Sequence, residues 1–71
     1  MSLESVSLAC LIIADVLADD KKAKKIIDKI DNVNGDDDLK SGIRDAVAYL
    51  KSKKKFAIAD DIVNKTKGFA F

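Results

Sequence analysis

The sequence predicts an all-α fold, a compact bundle of four short helices, on three observations. Apolar residues recur at i, i+3, i+4 and i+7 through most of the chain, and no stretch alternates apolar with polar residues as a half-buried strand would. Proline is absent, and glycine occurs only at Gly35, Gly42 and Gly68, so few positions break a helix. Acidic clusters precede two of the apolar stripes and lysines gather where stripes end, matching the polarity of a helix dipole. With 71 residues and no linker-like tract, residues 1–71 are expected to form a single helical domain.

The first helix is expected over about residues 3–18. Val6, Cys10, Ile13 and Leu17 lie at i, i+4, i+7 and i+11, and Leu8, Leu11, Ile12 and Val16 carry apolar character round much of the cylinder. A helix so apolar is either central in a bundle or half of an interface. We expect segment one to be central, with the other helices packed around it and apolar surface to spare near Leu8, Leu11 and Ile12. The run from Leu8 to Ala14 is short of the roughly 20 residues that cross a bilayer. Glu4 is the only charge before it, where a secretory leader would carry bases. Asp15 interrupts the run and is expected at its solvent edge.

Asp19 and Asp20 end that helix and offer a cap to the next, expected over 21–33. Ala23, Ile26, Ile27, Ile30 and Val33 form its stripe, and Lys21, Lys22, Lys24, Lys25, Asp28 and Lys29 take the opposite face. A loop follows, in which Gly35 suits a left-handed residue. The third helix is expected over 37–53, with Leu39, Ile43, Ala46, Val47 and Leu50 as its stripe. Asp36, Asp37 and Asp38 would cap its start, and Lys51, Lys53, Lys54 and Lys55 would complement its end. Gly42 inside this helix costs about 1 kcal/mol against alanine, which a close helix crossing would explain. The fourth helix is expected over 57–67 on Ile58, Ala59, Ile62 and Val63, with Gly68 beyond its end. Phe69 and Phe71 are expected to fold back over the core, with contact to a partner as the alternative.

Composition narrows function mainly by exclusion. Histidine is absent, which removes the commonest general base and zinc ligand, and no Ser–His or Cys–His pair can form. No glycine-rich phosphate loop is present, so the chain is expected not to be an enzyme and to need no cofactor or metal. The loop from Asn32 to Leu39 has an EF-hand-like outline, with Asn32, Asn34 and Asp36 at the first, third and fifth positions. It departs where it matters: Asp37 stands at the sixth position, normally glycine, and Ile43 at the twelfth, normally glutamate. A helix-capping acidic loop is the better reading. The single Cys10 rules out an internal disulfide and is expected to be a small buried hydrophobe in a cytoplasmic protein.

Thirteen Lys plus Arg against twelve Asp plus Glu give a net charge of +1, so bulk charge does not point to nucleic acid. Lysine runs at 21–25 and 51–55 could nevertheless meet a polyanion, although Arg44 is the only arginine and both runs have aspartates nearby. The stretch from Ile43 to Asn64 has the outline of the first two helices of a winged-helix domain. The chain left after Lys67 is too short for a recognition helix, and Asp60 and Asp61 on the fourth helix would oppose phosphates. The expected function is therefore that of a small protein-binding module, inhibitor or accessory protein acting through helix-face contacts. Its partner would be another protein or a second copy, a homodimer being favoured. Nucleic-acid binding through the lysine patches and a homo-oligomeric structural role are the alternatives. The contact residues expected are Leu8, Leu11, Ile12, Lys51, Lys53, Lys54, Lys55, Phe69 and Phe71.

Overall fold

A computed structural model describes residues 3–31 and 35–71. Four α-helices follow one another: α1 Leu3–Val16, α2 Lys24–Asp31, α3 Asp36–Ser52 and α4 Phe56–Lys65, with a 3-10 turn Lys21–Ala23 leading into α2. The all-α bundle expected from periodicity is the observed fold, with helix ends within a few residues of those expected. Val33, Asn32 and Asn34 lie outside the described residues.

The core is one apolar cluster. Val6, Ala9, Ile13 and Leu17 contribute from α1 and its last turn, and Ala23 from the 3-10 turn. Ile43, Ala46, Val47 and Leu50 come from α3, Ala59 and Ile62 from α4, and Ala70 from the tail. Ile13, Ile43, Leu50 and Ile62 are its largest fully buried apolar side chains, each adding about 1.5–3 kcal/mol by leaving water. Segment one is not the hub that its apolar content suggested. α3 packs most extensively, against both α2 and α4, while α1 rests on α4 and, less closely, on α2. The reason lies in the shape of the stripes. α3 turns a continuous apolar strip inward between two neighbours, whereas α1 spends Leu8 and Leu11 on its outward side.

Helix ends are settled locally. Asp20 caps the 3-10 turn: its Oδ1 accepts from the Lys22 backbone N–H at 2.9 Å. At the start of α3 the expected aspartate cap does not form. Gly35 holds the N-cap position in an extended conformation, not a left-handed one, with no side-chain cap bond. Asp36, Asp37 and Asp38 instead occupy the first helical turn, where carboxylates favour the dipole by about 0.3–1 kcal/mol each. Beyond the end of α3, after its C-cap Lys53, Lys54 takes the left-handed conformation, φ 62°. The Lys54 N–H donates to the Lys51 carbonyl and the Lys55 N–H to the Leu50 carbonyl, both at 2.9 Å, closing the last turn. Gly42 is buried at the α2–α3 crossing, where an added Cβ would stand 2.8 Å from Ile30 Cγ1.

Candidate interaction surface

Three exposed features contain most of the residues singled out from sequence: the outer face of α1, the lysine-rich end and the tail. On α1 the buried residues Val6, Ala9 and Ile13 define the inward side. At 100° per residue, Glu4, Leu8, Leu11 and Asp15 fall on the opposite side, and all four are exposed. Leu8 is 50% exposed and Leu11 65%, although each is a large apolar side chain on a regular helix. Ser5, Ile12 and Val16 form one flank. The Ser5 hydroxyl donates to the Lys65 carbonyl at 2.6 Å, tying the start of α1 to the end of α4. Ile12 is partly buried against the core and so departs from its expected role as a free contact residue. Its position, a quarter turn from the outward axis, points it at the bundle. Cys10 lies on the other flank, half-buried. Burial pushes its thiol up, and the nearby Asp31 carboxylate pushes it further, which disfavours the reactive thiolate.

The second feature joins the two lysine runs. Val16, Asp19, Asp20, Lys21, Lys22, Lys53 and Lys55 line one open depression where the α1–α2 corner meets the end of α3. Lys51, Lys53, Lys54 and Lys55 are all exposed, as expected. Two aspartates stand among these bases, however. Asp20 is already committed: Tyr49 Oη donates to its Oδ2 at 2.5 Å, while its Oδ1 caps the 3-10 turn. The tyrosine hydrogen bond, with the backbone N–H groups of Lys22 and Ala23 and the charge of Lys53, holds the Asp20 carboxyl below its ordinary value. The same bond raises the Tyr49 phenol, because phenolate would face carboxylate. Lys53 Nζ lies 5.5 Å from the centre of the Tyr49 ring, so one expected contact lysine is partly engaged within the molecule.

The tail is divided between the two roles anticipated for it. Arg44 Nε donates to the Ala70 carbonyl at 2.6 Å, and Ala70 is buried. Phe69 packs partly against the core beneath Lys40, whose Nζ is 5.2 Å from the ring centre. Phe69 thus follows the expectation of a tail folded back over the core and not the alternative of a free contact, held by Arg44 on the Ala70 carbonyl after it and by its own N–H on the Thr66 carbonyl before it. Phe71 remains 49% exposed. Phe56, not among the expected contact residues, is 56% exposed at the first position of α4. Its spacing gives no warning: Phe56 stands three residues before Ala59 and seven before Val63, in register with the apolar side of α4, and is exposed because it is the first residue of the helix.

The acidic start of α3 holds no EF-hand-like arrangement at its decisive position. Ile43, where a bidentate glutamate would stand, is completely buried in the core. Among the described residues no helix is long and apolar enough to cross a membrane. Comparison with protein-family models, with characterised proteins and with solved structures finds no match.

Proposed function

We propose that this chain is a small, non-enzymatic cytoplasmic protein-binding module whose contact surface is the outer face of α1. One observation carries the reading. Leu8 and Leu11 stand side by side, half to two-thirds exposed, on the helix side opposite the core. An exposed adjacent pair of leucines on an ordered helix contributes little to folding, and their i, i+3 spacing is that of the anchors a helix presents to a partner. The half-exposed Phe71 and Phe56 are the other large apolar side chains exposed among the described residues, one on the tail and one at the start of α4. The lysine-rich end supports a polyanion less well. Asp19 and Asp20 interrupt it, and the α3 C-terminus beside it carries the negative end of a helix dipole that the lysines already complement.

A photo-crosslinking amino acid at position 11, compared with one at the exposed position 25 on α2, tests the reading in cells. Discrete adducts at position 11 and none at position 25 are expected. Equal labelling, or no adduct at either position, would overturn it.

A further inference from the structure

The α1 face carries more than two leucines. Glu4 and Asp15 bracket the pair on the same exposed side, about 16 Å apart along the helix axis at 1.5 Å per residue. α1 contains no base, since the first lysine of the chain is Lys21. The face is thus an apolar centre with a carboxylate at each end.

This pattern decides between the occupants that the exposed leucines would otherwise admit. In a two-fold pairing of α1 with α1 of a second copy, residue i meets residue j and j meets i. Run antiparallel and centred on the leucines, Leu8 meets Leu11, and Glu4 meets Asp15 at both ends. Run parallel, Glu4 meets Glu4 and Asp15 meets Asp15. Either way each end brings two carboxylates together with no base on the helix to separate them, and like charges across an interface select against a pairing. A partner with the opposite ends satisfies both requirements at once.

Resting on the reading of α1 as the contact face, we infer that its occupant is an amphipathic helical segment of another protein, with an apolar pair flanked on each side by lysine or arginine. The complementary spacing is base, apolar, apolar, base at i, i+4, i+7 and i+11. That spacing mirrors Glu4, Leu8, Leu11 and Asp15, so a helix lying along α1 meets all four positions. The exposed ends make the charge contribution dependent on salt.

Two synthetic helical peptides test this against the intact 71-residue protein. One carries leucines at i+4 and i+7 with lysines at i and i+11, and the other replaces both lysines with glutamates. Titration calorimetry should show the lysine-flanked peptide binding at least about tenfold more tightly, with the advantage shrinking as salt is added. The double variant Glu4→Lys, Asp15→Lys should reverse the preference, and Leu11→Asp should remove binding of both. Sedimentation of the free protein should give a monomer. Equal binding of the two peptides, or no reversal, would overturn the charge assignment while leaving α1 as a contact face. Self-association abolished by Leu11→Asp would replace the heterologous partner with a second copy. No binding by either peptide, with sedimentation and stability indifferent to Leu11→Asp, would overturn both the assignment and the underlying reading.

Discussion

Gly42 shows how one residue sets a helix crossing. As glycine it forgoes about 1 kcal/mol of helix propensity relative to alanine. In exchange, α3 approaches α2 so closely that a methyl group would stand 2.8 Å from Ile30 Cγ1. That atom lies next to a branched Cβ, not at the end of a flexible chain, so it yields only if the isoleucine or its helix moves. Gly42→Ala is therefore expected to destabilise the protein by about 1–2 kcal/mol despite its better propensity, overpacking outweighing the helical gain. Urea denaturation reads the sign directly, and a stabilised variant would show that the crossing relaxes freely. The close crossing was legible in the sequence because a glycine inside a strong helical pattern calls for a packing reason. Lys54 was not: nothing in Lys53-Lys54-Lys55 identifies which residue turns left-handed, since glycine usually marks that position.

At the scale of elements, the bond between Asp20 and Tyr49 joins the α1–α2 corner to the last turn of α3. Its two groups shift in opposite directions, and the signs define a pH window. Asp20 titrates below its ordinary value of 3.8 in the folded protein, chiefly because the Tyr49 hydroxyl donates to it. Its stabilisation is therefore present above that value and is lost as pH falls through the lower folded one. Tyr49 titrates above its ordinary 10.0, so its contribution is present below 10.0 and is lost as pH rises through the higher folded one. Tyr49→Phe should lower the unfolding midpoint by a constant amount across the intervening range, and the gap from the parent protein should close at either extreme. Thermal melts at a series of pH values measure this, and a gap unchanged into strong acid would show that the carboxylate takes no part. Helix identity and stripe were largely legible, with Ile43, Ala46, Val47 and Leu50 buried as a set. The rotation of α1 was less so. Cys10 was expected on its inward line, but Ala9 is fully buried and Cys10 lies on the flank. A helix apolar nearly all round does not show in its own pattern which side its neighbours will cover.

For the whole molecule, the division between inward and outward apolar residues carries the argument about function. After the conformational entropy lost on folding is subtracted, the core of so short a chain leaves a net stability of only about 3–5 kcal/mol, so each large buried residue matters to the balance. Ile43 is completely buried at the centre of α3, and Ile43→Ala is expected to cost about 2–5 kcal/mol, enough to leave much of the population unfolded. Leu11 is as apolar as Ile43 but 65% exposed, and Leu11→Ala should change stability by less than about 0.5 kcal/mol. Parallel urea titrations followed by circular dichroism compare the two. A large loss in the Leu11 variant would mean that the outer leucine supports the fold, through self-association or packing, and that the α1 face is structural. If stability is lost with Ile43 and retained without Leu11, folding does not require the exposed leucine, and its contribution is left to association.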